Sequence, residues 1–282
     1  MNLTNISCVR EIMTRHGIAP QKRYGQNFLI NPTVVERIAE TCADSEAGVL
    51  EIGPGIGTLT RELAPRFKKA VALEIDKNLI PVLDETLSDF DNVKVINADA
   101  MKTDLGALIK EEFPGMKVYV CANLPYYITS PVIMSLLESG GIFEAVTVMI
   151  QKEVADRLCA EPGSAEYGAI TLAVNYYSET EKCFNVAPGN FMPPPKVTSS
   201  VIKMNIRKEP PVCVRDSEKM FSLIRAAFAC RRKTLANALS AAGICGKDEA
   251  YGILEKLGYD ANIRGERLSL SDYAAISDEL TK

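Results

Sequence analysis

The sequence predicts an α/β protein, a doubly wound and mostly parallel sheet followed by a small all-helical domain. Three observations predict it. Short, largely apolar runs at 49–50, 70–73, 93–96 and 118–122 recur between segments of helical period. Runs that are continuously apolar, rather than alternating, belong to strands covered on both faces. Their regular alternation with helices is the pattern of βα units that build a parallel sheet. After Arg207-Lys208-Glu209-Pro210-Pro211 the apolar period is helical to the end of the chain.

The elements follow from these signals in order. Residues 1–20 are a polar lead-in with some helical character. Asn31-Pro32 has the form of an N-cap with proline at the first helical position, opening a helix to about Ala43. Strands are expected at 48–53, 70–75, 92–97, 117–122 and 144–150. Helices are expected at 58–67, 77–88, 103–112, 130–139, 151–160 and 168–177. Two later strands lie at 181–187 and 197–206. In the second, Ile202, Met204 and Ile206 alternate with Val201, Lys203 and Asn205, as in a half-exposed strand. The tail reads as helices near 216–229, 232–242, 248–257 and 270–280, the last capped by Ser269 with Asp272. The expected domains are 1–208 and 209–282.

The first strand runs into Glu51-Ile52-Gly53-Pro54-Gly55-Ile56-Gly57, a glycine turn opening into a helix. Such a turn lets a nucleotide-like ligand approach the backbone. A dinucleotide fingerprint would place its third glycine where Thr58 stands. Glu74, at the second strand end, is spaced to accept hydrogen bonds from a ribose diol. Asp99, at the third, can accept from an adenine amino group. The expected cofactor side of the site is Gly53, Gly55, Glu74, Asp99 and Ala100. No Lys or Arg lies within the glycine turn to hold a phosphate, and Arg61 comes a helical turn later. S-adenosylmethionine is therefore preferred to a nicotinamide dinucleotide, which the turn alone leaves open.

Composition narrows the chemistry. At 282 residues, 47% apolar and 24% charged, the chain describes a globular protein with a sizeable core. The first 20 residues contain Arg10, Glu11 and Arg15 and no continuous apolar stretch, and no run approaches a membrane span. The eight cysteines form no CxxC pair and read as reduced thiols, so a cytoplasmic location is expected. A single histidine, His16, argues against a histidine-dependent triad or a Cys/His zinc site, and no metal is expected. A net charge of −4 leaves any nucleic-acid contact to local basic patches.

The fourth strand ends in Asn123-Leu124-Pro125-Tyr126. An adenine amino group is a poor nucleophile because its lone pair is delocalised into the ring. The Asn123 amide oxygen and the carbonyl of Leu124 or Pro125 can accept both amine hydrogens and free that lone pair for a methyl donor. Tyr126 can stack on the base. Phe191, ahead of Pro193-Pro194-Pro195, can meet the other face of a base drawn out of its stack; the same stretch also reads as the lead-in to an edge strand with Phe191 in the core. Arg231, Arg232 and Lys233 are candidate phosphate contacts, as are Lys22 and Arg23, though solvated turns or helix starts look alike.

QNFL at 26–29, EIGPGIGTLT at 51–60, the strand-end Glu74 and Asp99, NLPY at 123–126, FMPPPKV at 191–197 and the FxxRRKTLxNxL stretch from Phe228 to Leu239 occur in that order. Together they resemble the KsgA family of small-subunit ribosomal RNA adenine N6,N6-dimethyltransferases, over about residues 20–280. That resemblance implies a Rossmann-like class I S-adenosylmethionine-dependent methyltransferase sheet and two adjacent adenosines near the 3′ end of small-subunit (16S) rRNA as target. It implies that Asn27, Leu29, Gly53, Glu74, Asp99 and Asn123 line the cofactor. Asn123, Leu124, Pro125, Tyr126 and Phe191 would hold the base. The partner is then the small ribosomal subunit, and a monomer is expected. Two alternatives stay open: a large-subunit rRNA adenine methylase of the macrolide-resistance type, and a mainly non-catalytic ribosome-assembly factor. A DNA adenine methylase would carry an acid-Pro-Pro-Tyr motif, which this chain lacks.

Overall fold

Continuous burial along the strands is what makes the sheet an interior layer. The computed structural model describes residues 1–19 and 25–282. In β2 (Asp44–Ile52) every position from Ala47 to Ile52 is buried, and β6 (Ala145–Gln151) is buried from Ala145 to Ile150. β3 (Phe67–Glu74), β4 (Val93–Asn97) and β5 (Val118–Asn123) complete a parallel set in the order β4-β3-β2-β5-β6. β9 (Ser199–Ile206) pairs antiparallel with β6, and β7 (Ser178–Val186) lies beyond it. The winding reverses between β2 and β5, so a crevice opens there at the carboxyl ends of the strands.

The helices that cover this sheet start where the sequence provides caps. α1 (Ile6–Arg15) is capped by Asn5, and α2 (Pro32–Cys42) by Asn31, whose side chain accepts from Thr33 and Val34. The segment expected as one helix after the glycine turn is α3 (Thr58–Leu63) followed by a 3-10 turn, with Pro65 in that turn. α4 (Ile80–Thr86), α5 (Leu105–Glu112), α6 (Thr129–Leu137) and α7 (Lys152–Leu158) alternate with the strands as predicted. Val35, Ile38, Leu59 and Leu63 pack with Val49, Cys121 and Met149. Val9, Ile12, Val82 and Leu83 pack with Phe28 and Ile56.

One expectation about the strands is corrected in part, and one pairing was not anticipated. β9 is half-exposed only in its second half: Ser199 to Ile202 are all buried, whereas beyond them Met204 is buried and Lys203 and Asn205 are more open, as expected. A two-residue antiparallel pair, β1 (Phe28–Leu29) with β8 (Phe191–Met192), was also not anticipated, since two residues carry no readable period.

Met1–Ala155 with Thr180–Ile206 form one compact unit; Asp156–Glu179 with Arg207–Lys282 form a second. The expected break after 208 falls beside the observed one, but residues 156–179 were expected in the first domain. The reason is visible in the second unit's core. Tyr167 and Leu172, the latter on α8 (Ala169–Tyr177), are buried with Leu223, Ile224, Leu239 and Tyr273. The Tyr167 hydroxyl donates to the Leu268 carbonyl at 2.9 Å, and Tyr176 meets Phe221 edge-on. This unit is otherwise α9 (Ser217–Ala229), α10 (Leu235–Ala241), α11 (Lys247–Lys256) and α12 (Leu270–Glu279), the last capped by Ser269 and Asp272 as predicted. Among the described residues no helix is long and apolar enough to cross a membrane.

Gly48, inside β2, gives a direct check on packing. A Cβ there would sit 2.2 Å from the buried Phe113 ring. Gly48→Ala is expected to destabilise the sheet unit by about 1–3 kcal/mol, the usual cost of overpacking. Urea unfolding monitored by far-ultraviolet circular dichroism measures it, and a variant as stable as the parent would contradict the packing described.

Candidate functional site: a cleft across four strand ends

The cleft is assembled from the chain's return points at the carboxyl edge of the sheet. β2 ends in the glycine turn, where Gly53, Gly55 and Gly57 all have positive φ (70°, 61° and 87°). Residues with a Cβ rarely adopt that backbone. The space a Cβ would take at Gly53 is open, while at Gly57 it would press on Thr86 and Leu87. Gly57 N–H closes the turn on the Pro54 carbonyl, and α3 begins at once.

β3 delivers Glu74, 4% exposed, whose carboxylate grips two loops. Oε2 accepts from Gly55 N–H at 3.1 Å and Oε1 from Asp76 N–H at 2.8 Å. Burial raises its pKa, and these two N–H groups oppose the shift. β4 delivers Asp99, which accepts from Met101 N–H at 3.0 Å and lies 3.7 Å from the Lys102 ammonium. Each carboxylate oxygen has two lone pairs, so both acids keep acceptor capacity toward the cleft.

β5 delivers Asn123. Its Nδ2 donates to the main-chain carbonyl of Asn27 at 3.2 Å, which leaves Oδ1 as the acceptor end of the amide. Leu124 is fully buried and its N–H is held by the Met149 carbonyl. The Pro125 carbonyl already accepts from Ile128 N–H and the Thr129 hydroxyl, each at 3.2 Å. The Tyr126 hydroxyl is 2.8 Å from Ser199 Oγ at the start of β9, and burial raises its pKa. Asn27 braces its own turn by donating to the Gly25 carbonyl at 3.0 Å.

These pieces line one cleft of about 1030 Å³, its open mouth included. It brings together Asn27, Leu29, Gly53, Gly55, Glu74, Asp99, Ala100, Asn123, Leu124, Pro125 and Tyr126. Its charged lining residues are Glu51, Glu74 and Asp99, with no Lys or Arg among the described ones. An acidic lining of this kind, with Asp99 partly offset by Lys102 outside the lining, suits a cationic ligand better than a phosphate. No group of three His, Cys, Asp or Glu is placed to hold a metal among the described residues.

Other expected site residues stand elsewhere. Phe191 is 3% exposed and does not line the cleft; its ring is in the core with Leu29, Val35 and Val201. The β1–β8 pairing, which sets Leu29 opposite Phe191, turns this aromatic inward. Arg231, Arg232 and Lys233 form an exposed turn between α9 and α10, not a helix start. Arg231 is paired with Glu266 at 3.0 Å and also donates to the Ala165 carbonyl. Arg232 and Lys233 have no ion-pair partner among the described residues. Lys22 and Arg23 lie outside the described residues.

Sequence reasoning assigned no role to Glu51, which is 3% exposed with Oε2 unpartnered; the Thr58 and Thr60 hydroxyls are likewise unpartnered. Burial pushes the Glu51 carboxyl up to about 8, with Thr60 opposing the shift and Glu74 adding to it. The available signal was a charged residue inside a continuously apolar strand. Ser199, which holds Tyr126, had none, because the two are 73 residues apart.

Known proteins share this architecture. Ribosomal RNA small subunit methyltransferase A of Bacillus licheniformis is 45% identical over 276 residues, covering 96% of this chain and 94% of the relative. The protein of the same name in Geobacillus thermodenitrificans is 46% identical over equal shares. Among solved structures, a dimethyladenosine transferase from Plasmodium falciparum superposes with a TM-score of 0.76 at 27% identity, over 88% of this chain and 95% of that one. The 23S rRNA methyltransferase ErmE gives 0.70 at 27% identity, over 91% and 100%. The family model for ribosomal RNA adenine dimethylases matches residues 19–282. With the class I methyltransferase sheet, its strand-end cleft and these relatives in agreement, the chain belongs to the ribosomal RNA adenine dimethylase family.

Proposed function

We propose that the protein transfers methyl groups from S-adenosylmethionine to N6 of two adjacent adenosines near the 3′ end of small-subunit rRNA, giving N6,N6-dimethyladenosine. It acts as a monomer on the small ribosomal subunit. The observation that carries this reading is the Asn123 amide. With Nδ2 spent on the Asn27 carbonyl, Oδ1 is committed to accepting, which is what an adenine amine requires. Identity of 45–46% to small-subunit methyltransferases, against 27% to a 23S enzyme, favours the small-subunit target.

The residues present fit the cofactor. Gly53 supplies an open backbone edge, Gly55 lines the cleft where a Cβ would press on the Phe28 ring, Glu74 accepts from a ribose diol, and Asp99 and Ala100 flank an adenine. The buried, unpartnered Glu51 suits an ammonium group. When bound, S-adenosylmethionine supplies a methyl group on a cationic sulfonium. The protein's part is to position and to polarise. Asn123 Oδ1 accepts one amine hydrogen. The second acceptor is the Leu124 carbonyl, because that of Pro125 is already engaged within its turn. Held so, the amine's lone pair is released from the ring, which is catalysis by preorganised acceptors. Tyr126, fixed through Ser199, provides the stacking face. The methylated nitrogen is cationic and acidic, and its proton leaves to water at the open mouth. Phe191 acts indirectly in this reading, through the strand pair that carries Leu29 to the cleft. Arg232 and Lys233 are the proposed phosphate contacts.

Three measurements test this. Purified protein, labelled S-adenosylmethionine and small subunits lacking the modification should yield dimethyladenosine at two neighbouring positions of the 3′-terminal rRNA fragment. Label confined to large-subunit rRNA would reject the small-subunit assignment. Asn123→Ala should lose at least about 100-fold in turnover, the scale of a lost transition-state acceptor, while subunit binding stays within a few-fold. Lost binding with normal turnover would contradict the mechanism.

The third concerns Glu51. The ligand-free folded chain keeps a proton there that the unfolded chain, with an ordinary carboxyl near 4.5, releases. The stability contributed at this position therefore falls as pH rises from about 4.5 through about 8. Glu51→Gln is uncharged throughout and should flatten the decline of Tm across that window. Titration calorimetry of the parent protein in buffers of different ionisation enthalpy should also record proton release when S-adenosylmethionine binds. A variant with an unchanged slope would reject a protonated Glu51.

A further inference from the structure

Six large apolar side chains are exposed among the described residues, and three of them, Ile75, Met101 and Tyr127, line the cleft. Ile75 and Met101 belong to the side formed by Glu74 and Asp99. Tyr127 belongs to the side formed by Asn123 and Tyr126, and at 56% it is the most exposed of the six. Successive tyrosines of one turn thus have opposite fates. Tyr126 is half-buried and tied through its hydroxyl to Ser199, while Tyr127 stands at the rim.

The rim ring is also backed. Its Cδ1 and Cε1 lie 3.6 and 3.8 Å from where a Cβ would be at Gly25, and Pro125 is beside the same point at 3.6 Å. An aromatic with two torsions, set beside the Gly25 backbone, loses little freedom when something stacks on it. A base drawn into the cleft onto Tyr126 leaves its neighbour in the same strand without a stacking partner. That neighbour must cross the rim.

We propose that Tyr127 is a specificity-determining residue that stacks on the base flanking the target adenosine in the same RNA strand, holding the strand in register while the target is in the cleft. The proposal rests on the adenosine N6 reading above. Because the contact is with a flanking base, its loss acts on capture of the RNA before it acts on the methyl-transfer step.

The test uses the full chain with small subunits lacking the modification. Tyr127→Ala should lower kcat/KM by about 5- to 150-fold, the effect of one base–aromatic stack of ~1–3 kcal/mol at 1.4 kcal/mol per tenfold. The change should fall mainly in KM, with the S-adenosylmethionine dissociation constant unchanged. Tyr127→Phe keeps the ring and should stay near the parent protein. Tyr127→Leu keeps apolar bulk beside Gly25 without a π face, so it should resemble the alanine variant. The inference is overturned if alanine stays within twofold of the parent, if leucine restores activity, or if the loss lies in kcat alone. Failure of the parent protein to methylate either subunit would instead remove the reading on which the inference rests.

Discussion

The site depends on one residue that ties three strand ends together. Glu74 holds the glycine turn after β2 through Oε2 and the loop after β3 through Oε1. Its main-chain carbonyl accepts from Ala98 N–H and from the Asn97 side chain at the tip of β4. A carboxylate buried to this degree pays a desolvation penalty, and the N–H groups around it offset that penalty by favouring the charged form. The glycine turn, with three positive-φ residues, is held from the cleft side by these bonds and from behind by Gly53 N–H on the Leu73 carbonyl, the Thr86 hydroxyl on the Ile56 carbonyl and the buried Ile56 side chain.

From that anchor the cleft divides into two chemical halves. The half at β2, β3 and β4 is acidic and glycine-lined, and it suits a cationic ligand with a diol. The half at β5 is neutral and built of acceptors, an amide and a carbonyl, beside an aromatic ring. The topological switch between β2 and β5 sets these halves side by side. Glu51 lines the same cleft, buried, with its carboxyl pushed up to about 8 by burial.

Much of this was legible from residues alone. The glycines, Glu74, Asp99 and Asn123 each close an apolar run, and a run with both faces buried ends where the chain leaves the sheet, so their meeting at one edge follows from the topology. What stayed hidden has a common physical cause. The Tyr126–Ser199 bond and the β1–β8 pair both join segments far apart in sequence, and neither leaves a local period; a core position for Phe191 was one of the two readings its own stretch allowed. The second unit shows the same limit from another side. Residues 156–179 look like one more βα connection, and only the burial of Tyr167 and Leu172 among the later helices reveals where they pack. Arg231 looked like one of three equal cations until Glu266 supplied its partner.

Several of the groups that shape the cleft are main-chain atoms: Gly55 N–H, Asp76 N–H and the Asn27 carbonyl. Every residue supplies a carbonyl and all but proline an N–H, so side chains at such positions can drift while the bonds survive wherever the backbone is unstrained; Gly55, at positive φ, is the exception. Asn27 shows both kinds of contact: its carbonyl takes the bond from Asn123, while its side chain braces the turn through the Gly25 carbonyl. A site written in backbone is robust to sequence divergence. That robustness is one way in which a chain and a distant relative can share 27% identity and still superpose with a TM-score of 0.76.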